Sequence, residues 1–178
     1  MIVIDVADEG DLPLILEIEH EAISPPWTHG ALLSEIYRGD SFFAVARNIA
    51  GDPMPGANSG QPAYRESAAD DERPPINGFV ILRRTSEDEG ELLQIAVGKA
   101  ALRRGVADLL MNAALDHAAA NSILSVFLEV RKSNEAAISL YKKHGFGAVR
   151  TRRDYYNDPV EDALVMSRHT KSKWHGHF

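Results

Sequence analysis

The sequence predicts a mixed α/β (α+β) domain. Apolar residues switch repeatedly between a period of two and a period near 3.6, so strands and helices interleave along the chain. The elements read in the order βααβββαβαββ, which fits helices packed on one sheet. The chain has 178 residues, 44% of them hydrophobic and 25% charged, enough for one core of ordinary composition.

"IVIDVA" (2–7) reads as the first strand. "DEGDLPLILEIEHEAI" follows as a helix, with Asp11 as cap and Leu14, Ile15 and Ile18 at helical spacing. In "SPPWTHGALLSEIYRG" a turn leads into a second helix, capped by Thr28 and apolar along Leu32, Leu33 and Ile36. "SFFAVARN" (41–48) is a strand. Residues 49–77 are rich in Gly, Pro, Ser, Asn and Asp and carry no period, so they read as a long mobile loop within the domain. Strands resume with "GFVILRR" (78–84), and the acidic "SEDEGE" (86–91) turns the chain tightly back into "LLQIAV" (92–97). "GVADLLMNAALDHAAAN" is a helix whose expected buried stripe is Val106, Leu109, Leu110, Ala113 and His117. "SVFLEVR" (125–131) is a buried strand, and "SNEAAISLYKKHGF" is a helix capped by Ser133 or Asn134 and ended by Gly145. "AVRTRRDYY" and "EDALVMSRH" close the domain as a strand pair, leaving residues 169–178 as a frayed tail.

Composition excludes several chemistries. There is no cysteine, hence no disulfide, no thiol nucleophile and no thiolate zinc site. The seven histidines have no ligand spacing, so no metal is expected. The net charge of −7 argues against a nucleic-acid partner and suits a cationic one, although solubility alone also accounts for it. No apolar run reaches the ~20 residues of a bilayer span, and the acidic "MIVIDVADEGD" start is unlike a signal peptide. A cytoplasmic location is the default reading.

"LRRGVADLL" (102–110) joins a strand to a helix. A helix start offers unpaired N–H groups and the positive end of the dipole, and Gly105 allows close approach of a ligand to the backbone. Arg103 and Arg104, with Lys99 nearby, add charge suited to phosphate. A solvated turn is the alternative. The Walker and dinucleotide glycine patterns are absent.

Followed at this distance by "LEVRKSNEAAISLYKKHGF" (128–146), this turn resembles the pyrophosphate loop, Q/R-x-x-G-x-G/A, of the GNAT acetyltransferases. Gly105 and Ala107 match its last two fixed positions, while Leu102 stands in place of Gln or Arg. "PPWTHGALLSEI", "LLQIAV", the 128–146 segment and "RRDYYNDPVEDALVM" follow the order of the RimI-type branch, although "GK" at 98–99 replaces its commoner Asp-Pro. That branch acetylates the N-terminal alanine of a small-subunit ribosomal protein. The resemblance spans about residue 3 to residue 168 and leaves out 49–77 and the tail.

The resemblance implies one GNAT domain over 1–168, with a twisted mixed sheet splayed in the middle and flanked by helices. It implies acetyl-CoA as donor, held by Leu102, Arg103, Arg104, Gly105, Val106, Ala107 and Asp108, by Asn134, and by the strand backbone of Ile95, Ala96 and Val97. Val97 N–H would face the developing oxyanion. Glu129 matches the general base and Tyr141 the general acid. On the residues alone, Glu129 is equally a strand carboxylate paired with Arg131. Tyr141 is equally a core aromatic, with Phe146 folding back near it, and Asn134 a plain helix cap. Trp27, Tyr155, Tyr156 and Glu161, with Asp162, are acceptor-side candidates, or packing and solvated residues.

The implied activity is transfer of acetyl to the N-terminal α-amine of a basic protein segment, by direct attack in a ternary complex. An α-amine has a pKa of ~8 against ~10.4 for lysine, so freeing it at neutral pH is cheaper by roughly 3 kcal/mol. The alternatives are a GNAT enzyme for lysine, a polyamine or another small amine, and a non-catalytic acetyl-CoA-binding module. A nucleotide-binding regulator is disfavoured by the missing phosphate-loop patterns.

Overall fold

The element order is the predicted one: β1 (Ile2–Val6), α1 (Leu12–Ala22), α2 (His29–Tyr37), β2 (Ser41–Asn48), β3 (Ile76–Arg84), β4 (Glu89–Val97), α3 (Val106–Ala120), β5 (Ser125–Arg131), α4 (Glu135–Lys143), β6 (Gly147–Asn157) and β7 (Val160–His169). This computed structural model describes residues 1–48 and 74–169. Most of the expected 49–77 loop and of the tail therefore lies outside the described residues. At the loop's end β3 begins at Ile76, two residues before the expected Gly78. Asn77 is held there by its side-chain bond to Asn48 (3.0 Å).

One seven-stranded sheet runs in the order β1-β2-β3-β4-β5-β7-β6. Alternation along the strands sorts side chains to its two faces. Ala44, Ala46, Val80, Leu82 and Leu92 meet α3 on one face. Phe43, Val45, Phe79, Ile81 and Ala96 meet α1 and α2 on the other. The stripe that α3 buries is Val106, Leu110, Met111, Ala114, Leu115 and Ala118. Leu109 is 40% exposed, contrary to expectation, because the buried line follows Val106, Leu110 and Ala114 at steps of four.

Thr28 caps α2 as expected, its hydroxyl accepting from Ala31 N–H (3.2 Å). Asp11 makes no side-chain cap bond to α1. Its carboxylate is fully buried and binds the buried Arg47 at 2.5 Å. Asp8 is the capping residue instead, accepting from Gly10 N–H at 2.8 Å ahead of a short helical turn over Glu9–Asp11.

The sheet parts between β4 and β5. These strands pair in parallel only from Glu89↔Ser125 to Glu91↔Phe127. Just beyond, β4 carries a bulge: Leu82 faces Leu92 but Ile81 faces Gln94, so Leu93 is an extra residue. A bulge bends its strand and sharpens the twist, which turns the rest of β4 away from β5. Leu92 and residues 94–97 of β4 stay paired to β3, and residues 128–131 of β5 to β7. A wedge-shaped gap lies between them.

Candidate active site

Two sets of main-chain donors face this gap or its rim. Gly98 N–H is bonded to Asn77 C=O on β3 (2.9 Å). Successive strand amides alternate sides, so Val97 and Ile95 N–H point the other way, into the gap. At the rim, Gly105 precedes α3 with φ +77° and open space where a side chain would stand. The first bond within α3 runs from Leu109 N–H to Gly105 C=O (3.1 Å). The N–H groups of Val106, Ala107 and Asp108 therefore point out of the helix. Leu102, Arg103 and Arg104 form an exposed turn before it, with Arg103 also left-handed at φ +61°.

Asp108 has a second engagement. Its carboxylate meets Lys143 Nζ (2.7 Å) and His144 Nε2 (2.8 Å), tying the start of α3 to the end of α4. Lys143 first, then His144, holds it below the usual carboxylate range. Asn134, rather than Ser133, caps α4, accepting from Ala137 N–H (3.1 Å).

Glu129 and Tyr141 lie on opposite sides of the sheet. Val126, Leu128 and Val130 of β5 belong to the core on the α3 face, as does Tyr141. Glu129, at the alternate position, belongs to the other face. Tyr141 is 8% exposed, and burial first, then the nearby Tyr156, pushes its phenol up to about 12. Gly145 at φ +84° ends α4. Gly145 N–H bonds to Lys142 C=O and Phe146 N–H to Tyr141 C=O (3.0 Å each). This Schellman closure folds Phe146 against Tyr141, with ring centroids 6.0 Å apart.

The Glu129–Arg131 pair, the alternative reading of Glu129, does not form. Arg152 of β6 is the cation on Glu129. Arg131 lies over the Tyr156 ring (4.1 Å to the centroid) and bonds Asp158 C=O (2.9 Å), Pro159 C=O (3.2 Å) and Glu161 (3.3 Å). Period-two spacing puts Glu129 and Arg131 on one face, but the β6–β7 turn offers Arg131 better acceptors. Glu161 is occupied by the chain itself: besides Arg131 it accepts from Ser133 N–H at 2.6 Å. Asp162 likewise accepts from Asp154 N–H at 3.1 Å.

Tyr155 and Tyr156 stand in β6, where the β6–β7 register slips between Arg152 and Tyr156. Their rings meet edge to face at 5.2 Å. Arg152 lies 4.6 Å from the Tyr155 centroid. Glu129 is the first cause raising the Tyr155 phenol; for Tyr156 burial comes first, then Glu129. Tyr156 thus couples electrostatically to both Glu129 and Tyr141. Trp27 packs on the core beneath α1 and α2, the face that also carries Glu129.

Three features of this face are not foreseen from sequence. Arg152 is 23 residues from Glu129, and no periodicity links them. Glu91 faces Phe127, so it shares a face with Glu129; burial first, then Glu129, raises its pKa. Glu19 is fully buried, and here a signal exists: it follows Leu12 and Ile15 by seven and four residues, on the apolar line of α1. Among the described residues no three His, Asp or Glu side chains converge as a metal would require, and no helix is long and apolar enough to cross a membrane.

A parted sheet with strand amides facing the gap and a glycine-led helix start at its rim suits a long, phosphate-bearing thioester. Comparison with known proteins agrees. Residues 19–146 match the acetyltransferase (GNAT) family, whose donor is acetyl-CoA. The [ribosomal protein bS18]-alanine N-acetyltransferase of Salmonella typhimurium is 30% identical over 166 residues, covering 92% of this chain and 95% of that one. The crystal structure of the ribosomal-protein-S18-alanine N-acetyltransferase from Escherichia coli superposes with a TM-score of 0.77 at 26% identity, covering 100% of both chains. Ard1 from Thermoplasma volcanium superposes with a TM-score of 0.75 at 26% identity, over 95% of this chain and 97% of that one. By sequence match and by its parted sheet, this chain belongs to the GNAT family and is an N-acetyltransferase.

Proposed function

We propose that this enzyme acetylates the N-terminal α-amine of a protein, alanine foremost, on a basic segment such as that of a small-subunit ribosomal protein. The observation that carries the reading is the placement of Glu129 and Tyr141 on opposite faces of the sheet beside the β4–β5 gap. The amine approaches on the Glu129 face and the thioester on the Tyr141 face, so attack is direct. The full-length likeness to the bS18-alanine enzyme of Salmonella supports the choice of amine.

In this reading the amides of Val106, Ala107 and Asp108 and the turn over Leu102–Gly105 hold the coenzyme pyrophosphate. Asn134 lies at the neighbouring α4 start, and the Ile95–Val97 backbone lines the arm. Glu129 takes the proton of the attacking amine, through water. Val97 N–H donates to the oxygen as it gains charge. Tyr141 keeps its proton across the working pH range and holds it for the leaving sulfur; the same burial that lifts the phenol also lifts a thiolate beside it. Trp27, Tyr155 and Tyr156 line the acceptor side, and Glu161 acts indirectly, by fixing Arg131 and the turn at Ser133.

Two basic peptides test this by mass spectrometry. One has a free N-terminal alanine and no lysine; the other has a blocked N-terminus and one internal lysine. Acetyl-CoA-dependent modification of the first alone is the expected result. Modification of the second alone moves the acceptor to the lysine or small-amine class.

A further inference from the structure

The buried contact between α1 and the β4 bulge has one oxygen too many on each side. Glu19 Oε1 accepts from Trp27 N–H (2.7 Å) and from Gln94 Nε2 (3.0 Å). Glu19 Oε2 and Gln94 Oε1 are both buried with no hydrogen-bond partner. Two acceptors sealed from water without a donor are costly, and an ionised carboxylate with no cation bonded to it costs more. One proton removes both costs. A carboxylic acid and a carboxamide are complementary: the amide N–H donates to the acid carbonyl, and the acid O–H donates to the amide carbonyl.

We propose that Glu19 is a neutral acid whose Oε2 proton is shared with Gln94 Oε1, and that this acid–amide pair positions the Trp27 wall of the acceptor side. Glu19 is a positioning residue: it holds the first turn after α1 through Trp27 N–H, and it holds the bulge that opens the gap through Gln94. That the wall serves the acceptor rests on the function proposed above; the protonation does not. Burial is the first cause raising the Glu19 carboxyl, against bonds from Trp27 and Gln94 and the charge of His20. On the elements packed against α1, Glu35 is paired with Arg83, Asp11 with Arg47, and Glu9 with the Tyr37 hydroxyl. His29 of α2, Arg84 of β3, Glu89 and Glu91 of β4 and Lys99 are the other titratable groups on those elements, and none of these acts on Glu19.

With its pKa raised by folding, the acid's contribution is complete at low pH and is lost as pH rises through the folded value. A glutamine at 19 reproduces the pair at every pH, since its amide donates to Gln94 Oε1. The test compares wild type, Glu19→Gln and Glu19→Ala with the peptide that wild type acetylates. At low pH, Glu19→Gln should keep the acceptor KM within about twofold, and Glu19→Ala should raise it about tenfold with the acetyl-CoA KM unmoved. As pH rises, the ratio of wild-type to Glu19→Gln acceptor KM should climb. Infrared difference spectra of wild type minus Glu19→Gln should show a carboxylic-acid C=O band at neutral pH, whatever the acceptor. Absence of the band, or a Glu19→Gln KM as poor as that of Glu19→Ala, overturns the neutral pair. A band with acceptor KM equal in all three proteins overturns the positioning role. Failure of both peptides in wild type with the band present overturns the acceptor assignment instead, and with it the role given to the wall.

Discussion

Tyr141→Phe separates catalysis from packing at one atom. It removes the phenol oxygen and keeps the ring that packs on Phe146 and the α3-face core. Folding lifts this phenol from 10.0 to about 12. At 1.36 kcal/mol per unit, two units amount to about 2.7 kcal/mol in favour of the protonated form. Below about pH 10 the folded and unfolded phenols are both protonated, so wild type and variant respond alike. Between about pH 10 and 12 the unfolded chain loses this proton first, and wild type is destabilised by about 1.4 kcal/mol per unit relative to the variant. Urea melts of both proteins from about pH 8 to pH 11 read this difference, and subtraction cancels the other tyrosines. At neutral pH the variant should unfold within about 1 kcal/mol of wild type. Its kcat should nonetheless fall by about a hundredfold or more, the usual contribution of a general acid. A kcat within threefold of wild type would refute the assignment of Tyr141 as acid. A stability difference that stays flat up to about pH 11 would refute the buried, lifted phenol.

Glu129→Gln should lower turnover at every pH, and more so as pH falls below the ~8 of an α-amine, because the variant must wait for amine that is already neutral. Rate profiles against pH check this; a constant ratio to wild type would remove Glu129 as base. Asp11→Asn should cost about 3–5 kcal/mol, because it leaves the buried Arg47 without its closest carboxylate. Asp5, at 3.2 Å and half-exposed, compensates in part. Calorimetry should show a Tm lower by roughly 10 °C, and an unchanged Tm would refute the buried Asp11–Arg47 pair as a stabilising contact.

Much of this protein is determined locally. Element order, the Thr28 and Asn134 caps and the Gly145 closure under Phe146 follow from period and from short-range hydrogen bonding, which act over a few residues. The glycine-led start of α3 is equally local: φ +77° is open to glycine and strained for other residues. Glu129 and Tyr141 are legible as candidates only through the family resemblance; strand alternation and helix spacing set the faces they occupy, not their roles. Ion-pair choice was decided only by the tertiary structure. Asp11 turns from cap to counter-ion because the fold brings Arg47 to it from 36 residues away. Glu129 meets Arg152 rather than Arg131 because β6 returns beyond β7 with its register slipped. The gap itself is of this kind: one extra residue at Leu93 acquires meaning only when β3 fixes the register of β4 against it. Local propensity acts within a turn of chain, whereas charges and strand partners are chosen by whatever the completed fold sets beside them.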